Sequence, residues 1–218
     1  DGAVQKLLEQ ASRPLVLLGQ QALRHPRYAD IRRRAAMLAR DTGARLGQVT
    51  EGANSAGLSQ AGVLPHRLPG GRPAPQPGRT VAEMVTRPPA GLLLLNVEPE
   101  LDVAGGLPAR SAFVVALTPY DSPAPRAQAH VLLPIGTYAE TAGTYVNADG
   151  TWQTFQGVAA PVAESRPAWK VLRVLGNLLE QPGFAQESAA DVLAGARAAI
   201  GTVAQEAELP LADPGPPA

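Results

Sequence analysis

The chain has no cysteine, so its 218 residues can form no structural disulfide, thiolate zinc site or cysteine-ligated iron–sulfur cluster. Aromatic residues are scarce at 4%. With alanine abundant, the expected helix contacts are close and lightly packed. Net charge is also missing: 19 basic and 19 acidic residues cancel. That balance argues against broad electrostatic capture of nucleic acid or of an anionic membrane, both of which need a basic excess. No apolar run approaches the roughly 20 residues that span a bilayer. The N-terminus lacks the basic-then-apolar order of a signal peptide. It starts at Asp1 rather than methionine, which reads as a processed chain or a piece of a longer one.

What is present is apolar and loop-rich. Hydrophobic residues make up 45%, and 22 glycines and 22 prolines make up about a fifth of the chain, below the composition of a disordered segment. A chain of this length buries roughly 70% of its unfolded surface, enough for a core without staples.

Short apolar runs alternate with helical or turn-forming stretches. Strands are expected near 14–18, 45–50, 92–95, 112–117 and 130–133. Val4, Leu7, Leu8 and Ala11 have helical spacing, as do Ile31, Ala35 and Leu38 after Pro26. Arg32, Arg33, Arg34 and Arg40 fall mostly on the outer arc of the second helix, a solvated face. Residues 51–79 show no sustained period; 52–57 read as ordered turns and 65–78 as an exposed tether. A short helix over 80–86 has Thr80 as its cap, a turn covers 96–100 and a brief helical connection 102–108. Apolar strands joined by crossovers predict an α/β fold, an open, doubly wound, mostly parallel sheet of about five strands with helices on both faces.

Residues 139–153 form a hairpin-like stretch, with Asn147, Asp149 and Gly150 turning between apolar runs. Pro167 opens a strong helix that Pro182-Gly183 stops, and Ser188 with Asp191 opens another. The expected domains are a Rossmann-like 1–135, a loop, hairpin and helix region over 136–205, and a flexible tail over 206–218.

In such a sheet, ligands bind at the carboxyl ends of the strands. No G-x-G-x-x-G follows any strand and no phosphate-loop pattern occurs, which speaks against a common nucleotide site. His25, His66 and His130 lack the spacing of a metal site, and no serine sits in G-x-S-x-G. Glu98, Glu100 and Asp102 read as a solvated turn. The residues alone therefore nominate no catalytic or metal-binding group. Asn96 and Thr118 could hydrogen-bond a ligand at those strand ends, although turn capping explains both better.

The run Ala129-His130-Val131-Leu132-Leu133-Pro134, then Ala139-Glu140, then Gly143-Thr144-Tyr145-Val146-Asn147-Ala148-Asp149-Gly150 resembles the molybdopterin oxidoreductase superfamily. Pro161, Arg166, Trp169-Lys170-Val171-Leu172-Arg173 and Leu175-Gly176 narrow the resemblance to one branch. That branch is the large iron–sulfur subunit, or G subunit, of NADH:quinone oxidoreductase, respiratory complex I. The likeness is strong over 129–180 and looser over 14–128, where Ala53-Asn54-Ser55-Ala56-Gly57 also agrees with it.

The resemblance implies a C-terminal portion of such a large iron–sulfur polypeptide. It would be structural and cofactor-free, supporting electron transfer from NADH to quinone beside the other subunits of the peripheral arm. It would lie on the cytoplasmic side, attached to the membrane through the complex without inserting in it and without a nucleic-acid partner. The family's iron–sulfur clusters would be held by N-terminal regions that precede this sequence.

The alternative is a domain binding molybdopterin guanine dinucleotide in a molybdenum oxidoreductase, through Asn96, Thr118 and Asn147. A third reading is a small α/β module for another ligand. Departures from the family pattern bear on these readings. His130 stands where Asp is usual, and Thr151 where Arg is common. Asn96-Val97-Glu98-Pro99 stands where cofactor binders have Gly-x-Asn-Pro, so the glycine that lets a pterin dinucleotide approach the backbone is missing. Tyr145 and Trp152 are expected to pack beside the sheet.

Overall fold

The structure, a computed structural model, describes residues 2–103, 106–107 and 113–201. The chain forms two compact units. Among the described residues, the first comprises 2–57 and 146–151 and the second 58–145 and 152–201.

In the first unit, helix α1 (Gly2–Gln10) is followed by strand β1 (Leu15–Leu18), the short α2 (Gln20–Leu23), α3 (Tyr28–Thr42) and β2 (Arg45–Gln48). β1 and β2 pair in parallel with Leu15 opposite Arg45 and Leu18 opposite Gln48. Helix α3 packs on both strands, burying Ala35 and Ala39, and Leu18 of β1 is buried as well. Gly43 ends α3 in the left-handed region at φ 70°, where a side chain would be strained. The arginines of α3 lie largely in solvent; Arg27 and Arg33 both reach Asp30. Helix α4 (Ser55–Gln60) then opens inside the stretch expected to be without helix.

In the second unit, helix α5 (Val81–Thr86) starts at Thr80, whose side chain and that of Glu83 form a reciprocal capping box. Strands β3 (Gly91–Leu95), β4 (Phe113–Thr118) and β5 (Val131–Pro134) follow, with α6 (Pro99–Asp102) and α7 (Pro123–Gln128) between them. They make a parallel sheet in the order β3-β4-β5, with Leu93 opposite Val115 and Val115 opposite Val131. The two crossovers advance in the same direction, so right-handed connections bring α6 and α7 to the same face, where they touch. On one face of the sheet, Leu94, Val114 and Ala116 form the core with Leu92, Val97, Leu107 and Ala129 around them.

Beyond β5, a two-stranded sheet of β6 (Gly143–Val146) and β7 (Trp152–Phe155) carries the family-like stretch, and α8 (Ala168–Leu178) and α9 (Ala189–Ile200) follow.

The parallel α/β architecture agrees with the sequence expectation. The five expected strands are divided, however, between a two-stranded sheet in one unit and a three-stranded sheet in the other. An all-apolar run shows that a strand is buried, but not which neighbour it bonds to.

The expected tether over 65–78 is instead a hydrogen-bonded loop. Leu68 N–H donates to Arg72 O at 2.8 Å, Ala74 N–H to His66 O at 3.0 Å and Gly78 N–H to Pro65 O at 2.6 Å. At its centre, Gly70 has φ 78° and lies so near α9 that an added Cβ would be 2.5 Å from Ile200 O. The helical turn after β3 begins at Pro99 rather than 102, because proline at the first helical position needs no N–H partner. The expected tail over 206–218, the end of the last helix at Val203 and much of 104–112 lie outside the described residues.

Candidate functional site at the carboxyl ends of β3 and β4

The place where a parallel sheet offers a ligand site is occupied by one carboxylate. Thr118 ends β4 and is buried; its hydroxyl donates to Glu98 Oε1 at 2.9 Å. Ser122, at the start of α7, donates its hydroxyl to Glu98 Oε2 at 2.6 Å. Both oxygens of Glu98 are therefore taken by the loop that follows the neighbouring strand. The Glu98 N–H donates to Asp102 Oδ2 at 2.8 Å, closing the turn from the other side.

The backbone donors around Glu98 are used in the same way. Asn96, exposed and with φ 52°, donates its N–H to Leu117 O at 2.8 Å. Tyr120 N–H donates to Thr118 Oγ1 at 3.0 Å. Leu101 N–H and Asp102 N–H both bond Glu98 O, at 2.9 and 2.8 Å. Pro99 has no N–H to offer. Arg126, in α7, is paired with Asp121, and that hydrogen bond holds the Asp121 carboxyl below its ordinary range.

Of the three residues nominated from sequence, Asn96 and Thr118 are brought to adjacent strand ends of the second unit. Asn147 belongs to the first unit. Its Oδ1 accepts from Asp149 N–H at 3.0 Å and from Thr151 N–H at 2.9 Å, and Gly150 takes φ 82° in the same turn. The side chain thus shapes the loop that it starts.

A pterin dinucleotide would bring phosphates, which require free N–H groups or cations. Here the N–H groups of Asn96, Glu98, Leu101, Asp102 and Tyr120 are bonded within the loops, the central side chain is a carboxylate, and the cation in α7 has its own counter-ion. A central carboxylate with these donors already used does not fit a phosphate group.

Sequence reasoning missed two features. Glu98 has the composition of a solvated turn around it, although Pro99 directly after it, with an acid at 102, is the pattern of a helix start. The second is a join across 92 positions within the first unit: Val146 N–H, 2% exposed as a residue, donates to Asn54 Oδ1 at 2.9 Å. Two segments of the family-like pattern, Ala53–Gly57 and Gly143–Gly150, meet at that bond.

The large residues of the hairpin each have a defined partner. Tyr145 meets Phe155 edge-on at 4.9 Å, and Arg197 of α9 lies over the Trp152 ring at 5.1 Å. His130 lies just before β5 and bonds to β4: its Nδ1 accepts from Val114 N–H at 3.1 Å, and its ring lies 5.1 Å from Phe113. Among the described residues, no group of three His, Asp or Glu side chains could hold a metal ion.

The molybdopterin oxidoreductase family profile matches residues 3–178. The chain belongs to the molybdopterin oxidoreductase family. One relative is the G subunit of the NADH-quinone oxidoreductase of Streptomyces coelicolor, 33% identical over 148 residues. The match covers 55% of this chain but only 17% of that relative. Family membership therefore comes with strand ends that bond each other's loops, and the chain matches a small part of a much longer polypeptide. No helix among the described residues is long and apolar enough to cross a membrane.

Proposed function

We propose that this chain is a cofactor-free structural domain of the large iron–sulfur polypeptide of an NADH:quinone oxidoreductase. It supports electron transfer from NADH to quinone by packing against other subunits of the arm outside the membrane. The observation that carries this reading is the closed carboxyl end of β3 and β4, where Thr118 and Ser122 spend their hydroxyls on Glu98. The similarity to the Streptomyces coelicolor protein supports the assignment to that complex. Iron–sulfur clusters belong to other parts of the parent polypeptide, since these residues include no cysteine. The domain sits on the cytoplasmic side and is held at the membrane through its partners.

A tagged parent polypeptide, isolated from its own cells, tests both parts. It should co-purify with NADH-oxidising, quinone-reducing activity, and elemental analysis should find no molybdenum or tungsten assignable to this domain. Stoichiometric metal with an extractable pterin would overturn the cofactor-free role. It would support instead the alternative that the family match favours, a molybdopterin guanine dinucleotide domain of a molybdenum oxidoreductase. Absence of the NADH-oxidising activity from the purified assembly would overturn the assignment to the complex.

A further inference from the structure

Two hydroxyls converge on the Glu98 carboxylate, and each is aimed by its own loop. Thr118 is 4% exposed, and its Oγ1 accepts the Tyr120 N–H at 3.0 Å, which fixes the side chain. Its O–H is left to donate, with Glu98 Oε1 at 2.9 Å and Tyr120 O at 3.2 Å. Ser122 is the N-cap of α7, a position whose hydroxyl usually accepts an N–H from the second or third helical residue. Here the third is Pro125, which has no N–H, and the Ser122 side chain makes no capping bond. Its hydroxyl is spent on Glu98 Oε2 instead, at 2.6 Å.

We infer that Thr118 and Ser122 form a carboxylate-binding site that Glu98 fills as a ligand built into the chain, so that Glu98 is the residue that denies this strand end to free ligands. This deepens the reading of the domain as cofactor-free and rests on it. Held in place by its own backbone, the Glu98 carboxylate gives up no translational freedom on binding, and a free carboxylate does not displace it.

The site selects a monocarboxylate. Its two donors are neutral hydroxyls, one for each carboxylate oxygen. Arg126 is paired with Asp121, and the Asp102 carboxylate accepts the Glu98 N–H at 2.8 Å on the same turn. A dianion such as phosphate would meet that negative charge without a counter-ion. The backbone at Glu98 is extended, at φ −100° and ψ 97°, which alanine adopts without strain. Glu98→Ala removes the carboxylate and the methylene that bears it, and acetate supplies a carboxylate on a methyl group of matching size.

The test uses the full-length parent polypeptide in its purified assembly, with acetate as the probe. Saturation-transfer NMR should give a larger acetate methyl signal with Glu98→Ala than with the unsubstituted protein. Adding Thr118→Val and Ser122→Ala to that variant should remove the excess. Hydrogen exchange gives a second reading. Glu98→Ala should speed exchange over residues 120–126 roughly fivefold, the ratio that about one net hydrogen bond gives. Acetate should reverse this, chloride or phosphate at equal ionic strength should not, and the unsubstituted protein should not respond.

Absence of the excess signal, or exchange that acetate does not slow, overturns the proposal. So does reversal by phosphate equal to that by acetate, or an excess that survives loss of both hydroxyls. A Glu98→Ala chain that fails to enter the assembly in acetate as in chloride also overturns it, because the hydroxyls would then not hold their places without the side chain. Molybdenum with an extractable pterin in the unsubstituted assembly would overturn the cofactor-free reading separately, and the response of Glu98→Ala to acetate remains readable in that case.

Discussion

Asn54 and Gly57 show how one glycine can be required by a neighbour rather than by its own backbone. Gly57 lies in α4, yet a Cβ there would be 2.2 Å from Asn54 Oδ1 and 3.2 Å from Val146 Cγ2. The space it leaves is taken by the Asn54 amide, whose Oδ1 accepts the Val146 N–H. Asn54→Ala would leave that buried N–H without a partner, at a cost of about 1–3 kcal/mol. Gly57→Ala should cost less than this, since the gain of about 1 kcal/mol in helix propensity partly offsets the lost bond. The two losses should not add when combined, because both remove the same interaction. Urea denaturation of the single and double variants measures this, and additive losses would rule out the shared bond.

At the level of elements, caps and helix contacts decide where each segment begins and how closely it packs. Ser188 accepts the Asp191 N–H at 3.1 Å, and Asp191 Oδ2 accepts the Ser188 N–H at 2.9 Å, which fixes the start of α9. Ser188→Ala should lower stability by about 1 kcal/mol, with Ser188→Asp retaining most of it, read from thermal or urea midpoints.

Gly176 in α8 has another role. A Cβ there would meet Phe184 Cγ at 2.3 Å, at the base of the ring where rotation gives no relief. Gly176→Ala should therefore destabilise by about 1–3 kcal/mol despite the better helix former. Phe184→Leu should recover part of the loss, and a fully unchanged midpoint in Gly176→Ala would contradict this packing.

These elements differ in how legible they are from sequence. The Thr80 and Ser188 boxes can be read directly, because a cap is a local pattern of side chain and N–H a few residues apart. Helix α4 cannot, because its six residues, Ser-Ala-Gly-Leu-Ser-Gln, are too few to show a period. The loop over 65–78 resembles a tether because its closing bonds are backbone to backbone, and the Arg67 and Arg72 side chains that add to them donate to carbonyls, which any residue type supplies.

For the molecule as a whole, acid should be the weak side of the stability profile. The Glu140 carboxylate accepts from Thr137 N–H at 2.7 Å and Val162 N–H at 3.1 Å, pinning two segments of the second unit. The Thr137 backbone bond leads in holding the Glu140 pKa below its ordinary 4.5. Asp191 is held below 3.8, chiefly by the Ser188 side chain, and Glu83 below 4.5, chiefly by the Thr80 N–H.

A carboxyl whose folded pKa is depressed adds stability that is fully present above its unfolded pKa and lost as pH falls through the folded one. Stability should therefore decline on acidification below about pH 4.5. In Glu140→Gln the slope of that acid limb should be shallower, with a lower plateau at neutral pH. Urea midpoints across the range from neutral to acid pH test this; an unaltered acid slope in the variant would refute the role given to Glu140.

The order of residues was enough to establish the α/β class, the positions of the strands, the helix starts marked by Thr80, Pro167 and Ser188, and the family. Each depends on local periodicity, a cap or a run of adjacent residues. The division of the strands between two sheets, the bond from Val146 to Asn54 and the use of Glu98 by Thr118 and Ser122 came only with the folded chain. Those depend on which distant groups the fold brings within hydrogen-bonding reach. Strand runs that look alike in sequence do not encode their neighbours, and a polar side chain does not encode whether its partner is solvent, ligand or its own fold.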